Sequence, residues 1–311
     1  RSGAMTSSVA ATRSPARIEL AELINLKPAG ESINLAGLRV HALSAGGHLS
    51  PFKGRGVEFD ESRPYQEGDD LRTIDWRVTA RTGKPYTKVF REERDRPVII
   101  WLDLRQPMLF ATRGAFKAVR ASQAAALIAW STVANGDRLG GLVFSEGDHV
   151  ELRPRLGRAA ALRLFQTLTQ PERWERDASR SDDDGERALL RLTRVARPGS
   201  LVFMLSDFRN LETGLERHVR QIGRHADVFL MHFYDTVEQE LPPPGRYRVT
   251  AAERTFAIET DSKQARDRYR AQFAARRSQL AELARAPSIK LLDCATTEDP
   301  REVLARRFKS R

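Results

Sequence analysis

The sequence predicts an α/β protein: a parallel sheet with helices on both faces, joined to a smaller N-terminal β-rich module dense in charge. Three features predict it. The runs Val98–Leu102, Leu201–Leu205 and Val228–Phe233 are wholly apolar and lack the alternation of a half-exposed strand, as expected for strands buried on both faces. Helix-length segments separate them, and alternating strands and helices imply parallel pairing. Upstream, Gly54–Pro97 is crowded with opposite charges yet keeps Tyr65, Trp76, Tyr86 and Phe90, so it reads as folded rather than as a charged tail. The expected division is a disordered N-terminus over 1–16, the charged module over 17–96 and the α/β domain over 97–311. Arg1–Ala4, ahead of Met5, look like a cloning remnant.

Each element has a local signal. Ile18–Leu26 reads as a short helix with Ile18, Leu20, Leu23 and Ile24 on its apolar side. Leu38–Leu43 reads as a strand, followed by a loop marked by Gly46, Gly47, Pro51 and Gly54. Val57 and Phe59 alternate with Glu58 and Asp60, and Tyr86–Glu92 alternates less cleanly; both suggest strands of a small sheet. After strand Val98–Leu102 comes a helix, Gly114–Ala134, closed by Asn135-Gly136. Leu139–Ser145 and His149–Arg153 form strands around the turn Glu146-Gly147. Gly157–Leu168 is a helix, and Gln170–Gly185 a charged loop whose Asp183-x-x-Glu186 caps a helix running to Ala196. The remainder reads as strand Leu201–Leu205, helix Leu211–Arg224, strand Val228–Phe233 and a proline-rich turn, Leu241–Gly245. A hairpin of Tyr247–Val249 with Thr255–Ile258 follows, then helix Ser262–Arg285, strand Ile289–Leu292 and helix Arg301–Phe308.

Composition narrows the function classes. With 311 residues, 41% apolar, the chain has room for two domains and a sizeable core. Cys294 is the single cysteine, which excludes an intrachain disulfide and a thiolate metal cluster and favours a reducing, cytoplasmic setting. The longest apolar stretch, Ala118–Ala134, is broken by Arg120, Ser122 and Gln123, too polar for a bilayer span. The net charge is +11, and all but eight of the 52 basic residues are arginine, but the 41 acids are interleaved with them. Two readings stand: arginine–carboxylate networks, or attraction to an acidic partner, nucleic acid or an anionic membrane surface. The helix Ser262–Arg285 repeats the choice, since its apolar side can cover the sheet or its arginines can meet an anionic surface.

Catalytic signatures are weak. The six histidines show no zinc spacing, Gly54-x-Gly56 is not followed by Gly-Lys-Ser/Thr, and no glycine elbow surrounds Ser206. Asp293 beside Cys294 disfavours its thiolate, so an inert thiol is expected. The candidate site is instead the pair Asp103 and Asp207, each directly after an apolar strand, where open parallel sheets bind ligands. Two carboxylates brought together there need a hard cation between them, pairing with Arg105 or Arg209, or a capping role.

This arrangement resembles a von Willebrand factor A-like domain on a Rossmann-like sheet. Such domains carry a metal-ion-dependent adhesion site: D-x-S-x-S after the first strand, a threonine in a later loop and an aspartate after the fourth strand. Asp103 and Asp207 match the two aspartates. Arg105 and Pro107 stand where the serines belong, and the loop Arg153–Arg158 offers no threonine. The resemblance thus implies a degenerate site with no cofactor, where magnesium is the ion an intact set would hold.

A second resemblance covers the charged stretch. Gly54-Arg-Gly-x-Glu-Phe59, Arg63-Pro-Tyr65, Gly68-Asp69-Asp70-x-Arg72, Ile74-Asp75-Trp76 and Ala80-Arg81 are together similar to the signature of domain-of-unknown-function family 58, von Willebrand-like proteins commonly associated with MoxR-type AAA+ ATPases. Many members carry transmembrane helices, so this chain looks like a short soluble form. The resemblance implies a non-enzymatic adaptor for a MoxR-type ATPase and a client protein. The expected partner-binding residues are Asp103, Arg105 and Asp207 at the sheet rim and Arg63, Tyr65, Asp69, Asp70, Arg72, Asp75, Trp76 and Arg81 in the module, with Trp76 packed beneath the charges. A structural brace of mutual salt bridges is the other reading of the module, and a nucleic-acid or anionic-membrane binder the other reading of the protein.

Overall fold

The computed structural model describes residues 14–35, 57–66, 71–92, 96–174, 184–251 and 254–308. The chain divides into two compact units, Arg1–Ala45 with Arg96–Arg311, and Gly46–Asp95.

The larger unit begins with α1 (Leu20–Asn25) and α2 (Lys27–Glu31). The smaller unit holds β1 (Val57–Pro64), α3 (Trp76–Thr82) and β2 (Tyr86–Glu92). The larger unit resumes with β3 (Pro97–Asp103), α4 (Lys117–Ala134), β4 (Arg138–Phe144), β5 (His149–Arg155), α5 (Arg158–Leu168) and α6 (Asp184–Val195). Next come β6 (Leu201–Ser206), α7 (Glu212–Gly223), β7 (Asp227–Tyr234) and the short α8 (Thr236–Gln239). The hairpin β8 (Arg246–Ala251) and β9 (Arg254–Glu259), then α9 (Lys263–Leu283), β10 (Ile289–Ala295) and α10 (Pro300–Arg307) complete it.

Six strands form one sheet in the order β10-β7-β6-β3-β4-β5, parallel except for the hairpin-linked edge strand β5. This is the α/β sheet expected from the sequence. Alternate strand residues feed two cores. Val98, Ile100, Leu102, Phe203 and Phe229 face α1, α2, α4, α5 and α10, whereas Ile99, Trp101, Met204 and Leu230 face α6, α7 and α9. Chain order runs outward from β3 on both sides, so order reverses between β3 and β6. That is the switch point at which an open α/β sheet presents a crevice beyond its strand ends.

The helix α4 lies buried on nearly all sides because α1 and α2 cover its outer surface. Gly30 makes this close: a Cβ there would sit 2.5 Å from Trp130 Cβ and 2.9 Å from Leu127 O. The Trp130 indole N–H donates to Leu23 O (3.0 Å), and the Ser131 hydroxyl donates to Ile33 O.

The structure corrects several expectations. Residues 17–35 belong with the sheet unit, not with the charged module, because Ile18, Leu23, Leu26, Ile33 and Leu35 complete its core. The expected helix over 18–26 is present as α1, and a second short helix, α2, with Pro28 in its first turn, follows it unanticipated. The helices α3 and α8 were not anticipated. Each follows an aspartate N-cap whose carboxylate accepts backbone N–H groups. The expected strand over 38–43, Asp183 and residues 1–13 lie outside the described residues. Among those described, no helix is long and apolar enough to cross a membrane.

Candidate functional site at the sheet switch point

Asp103 ends β3, and Asp207 directly follows Ser206, the last residue of β6, so the predicted pair does arrive at the switch point. Both strands finish with the same local sequence, Asp-x-Arg, and the same turn. The Arg105 N–H donates to Asp103 Oδ1 (2.9 Å), and the Arg209 N–H to Asp207 Oδ1 (3.1 Å). Each aspartate therefore anchors its own loop. Phe208 and Asn210 hold positive φ, 54° and 55°, an uncommon state for such side chains. Phe208 is fixed there by burial and by an N–H bond to Ser206 Oγ (2.8 Å).

Cations occupy the space between the carboxylates. The Arg105 guanidinium folds onto Asp103 as a two-pronged pair, Nε to Oδ1 at 3.0 Å and the terminal nitrogen to Oδ2 at 2.7 Å, and also donates to Arg209 O. The Ser206 hydroxyl donates to Asp103 Oδ2 at 2.7 Å. Lys117, the first residue of α4, is fully buried and donates to Asp207 Oδ2 and Glu238 Oε1, both at 2.7 Å. Arg209 also donates to Glu238 Oε1 (2.7 Å). A capping box positions Glu238, whose other oxygen accepts the Asp235 N–H. Asp235 in turn accepts from the Thr112 amide and hydroxyl and from the Thr296 hydroxyl.

Three carboxylates thus face three cations, while a fourth buried carboxylate, Asp235, is held by hydroxyl and amide donors. Burial works against the Arg105 charge, but Asp103 more than compensates and raises its pKa. Burial likewise opposes ionisation of Asp207, yet Lys117 and Arg209 hold its carboxyl well below the usual range. The set does not fit a divalent metal. Such an ion needs several free oxygens, but both Asp103 oxygens carry Arg105, Asp207 Oδ2 carries Lys117, and Pro107 offers no side-chain oxygen. The loop Arg153–Arg158, where a threonine was sought, lies at the other end of the sheet: Arg155 pairs with Leu139, five residues from Phe144 beside Asp103.

This geometry corrects the expected docking face at the rim. Asp103 (0% exposed), Arg105 (4%) and Asp207 (1%) are enclosed and engaged with one another, and no partner surface can grip them directly. Sequence reasoning missed Lys117, Ser206 and Glu238. Its usable clue was the repeated Asp-x-Arg, which announces a paired construction. Cys294 is buried, and burial pushes its thiol up to about 12, far from a reactive thiolate.

The smaller unit places its own candidates. The strands β1 and β2 pair antiparallel, with a bulge between Phe59 and Glu61. Asp75 is buried at the start of α3: Oδ1 accepts the Arg77 and Val78 N–H groups, and Oδ2 the Ser62 hydroxyl at 2.9 Å. The Tyr86 N–H donates to Thr79 Oγ1, and Gly83 closes the helix in the left-handed region at φ 71°. Trp76 is not packed beneath the charges; it is 70% exposed, because only its neighbour Asp75 turns inward. Arg72, Arg77 and Arg81 are exposed, Arg63 and Tyr65 are half-buried, and Asp69 and Asp70 lie outside the described residues.

The model of the family described as "Protein of unknown function DUF58" matches residues 61–279. The chain belongs to the DUF58 family. Among its relatives, the uncharacterized proteins Rv1480 of Mycobacterium tuberculosis and Mb1516 of Mycobacterium bovis are each 30% identical over 261 residues, covering 82% of this chain and 79% of theirs. Similar solved structures include the conserved hypothetical protein BatB from Bacteroides thetaiotaomicron (17% identity, TM-score 0.38, 69% of this chain and 100% of that one). Another is an aerotolerance-related membrane protein from Bacteroides fragilis (14% identity, TM-score 0.39, 68% and 98%).

Proposed function

We propose that this chain is a non-enzymatic, cytoplasmic adaptor of von Willebrand factor A-like type. It binds a protein partner through the α3 surface of its charged module. A MoxR-type AAA+ ATPase is the partner, and the assembly or maturation of other complexes is the role. The observation that carries the reading is Trp76. Its neighbours in the Ile74-Asp75-Trp76 signature have structural work: Asp75 caps α3 and Ile74 bridges to Thr87 on β2. Trp76 stands 70% exposed, Arg72, Arg77 and Arg81 are exposed close to it in sequence, and tryptophan with arginine is the composition of binding hot spots. The neutralised rim supports the same reading, since Asp103, Asp207 and Glu238 are committed to cations rather than left as acids or bases.

Co-purification with a MoxR-type ATPase, across a salt series, tests it. Binding is expected, and Trp76→Ala should weaken it by about tenfold or more, the scale of a hot-spot residue. No association, or equal binding by the variant, overturns the reading. Binding to duplex DNA or acidic vesicles that matches the ATPase in strength and vanishes with salt would instead favour a charge-driven anion binder.

A further inference from the structure

A cavity of about 280 Å³ lies between the edge strand β5, the start of β4 and α5. It is remote from the switch point, at the end of the sheet where Val98, Leu139 and Arg155 align. Its floor is apolar, built from Leu139, Leu152 and Leu164, and its walls carry Arg153, Arg155 and Arg163. At the rim every cation has a carboxylate. Here none of the three guanidiniums has a partner among the described residues. Glu151 also lines the space, leaving two positive charges in excess.

Uncompensated arginines around a concavity are suited to a multivalent oxyanion, which their forked donors bind two bonds at a time. The start of α5 adds to the field. No side chain caps it, and Ala160 in its first turn lines the cavity, so the positive end of the helix borders the same space. An added β-strand is a poor occupant. Two residues, Arg153 and Pro154, oppose the single Gly140 in a bulge, and Pro154 has no N–H to offer, so this edge is blunted. The cavity falls just below the usual size for drug-like ligands, which limits the occupant to a compact molecule.

We propose that this cleft binds a phosphomonoester on a flat or apolar body of about mononucleotide size. Arg153, Arg155 and Arg163 hold its phosphoryl oxygens, and the leucine floor receives its body. Calorimetry on the full chain with adenosine 5′-monophosphate, adenosine and inorganic phosphate tests this. The monophosphate should bind, and adenosine and phosphate should each bind at least about tenfold more weakly. Arg155→Ala with Arg163→Ala should lower monophosphate affinity by about tenfold or more. Both side chains are exposed, so the unfolding midpoint without ligand should not move. Arg224→Ala with Arg268→Ala, exposed elsewhere, should change nothing. No binding of the monophosphate, equal binding of adenosine, or equal loss in the two double variants overturns the proposal.

Discussion

Lys117 is the residue on which the switch point turns. Fully buried, it touches two carboxylates that arrive from 90 and 121 positions further along the chain. Removing one partner of a buried ion pair costs about 3–5 kcal/mol, because the remaining charge keeps its desolvation penalty. Lys117→Met should therefore lower stability by about that much, read as a reduced urea midpoint. Adding Asp207→Asn should recover part of the loss, since it removes one orphaned charge, and the four proteins form a double-mutant cycle. Additive losses would mean that the two side chains are not coupled. Nothing in the sequence marked Lys117. It opens a largely apolar helix, where a lysine normally reaches water, and only the sheet topology shows that Asp207 blocks the way.

Elements were more legible than contacts. The strands β3, β6 and β7 were readable because burial on both faces demands unbroken apolar runs, and α4 because a good C-cap follows it. What escaped were short helices fixed by a single aspartate, α3 and α8, whose sequences carry no apolar periodicity. The helix α3 separates two roles that a sequence signature merges. Asp75→Ala removes its cap and the Ser62 bond, and an N-cap of this type contributes about 0.5–2 kcal/mol. The amides of Trp76–Thr82 should exchange hydrogen faster in that variant. Trp76→Ala, at an exposed position, should stay within about 0.5 kcal/mol of the parent and leave those exchange rates unchanged. If the tryptophan change loosened α3 as much as the aspartate change, the ring would be a structural brace and not a contact group.

For the whole molecule, the same pairing logic sets a pH dependence. Burial opposes ionisation of Asp207, Asp235 and Asp293, but Lys117, the Thr112 bonds and His232 respectively prevail, and all three carboxyls titrate below their ordinary value. A folded-state pKa below the unfolded one gives stability that is complete above the unfolded value of about 3.9 and is lost as pH falls through the folded values. Protonating the 41 acids also unmasks 52 basic residues in a chain that already carries +11, so self-repulsion acts in the same direction. The urea midpoint should thus be nearly level from pH 7 to about 5 and fall steeply below about 4. Asp207→Asn should start from a lower midpoint and fall less steeply, since one depressed carboxyl no longer takes up a proton. A midpoint that rose on acidification, or an unchanged slope in that variant, would show that the switch-point carboxylates do not carry the acid response.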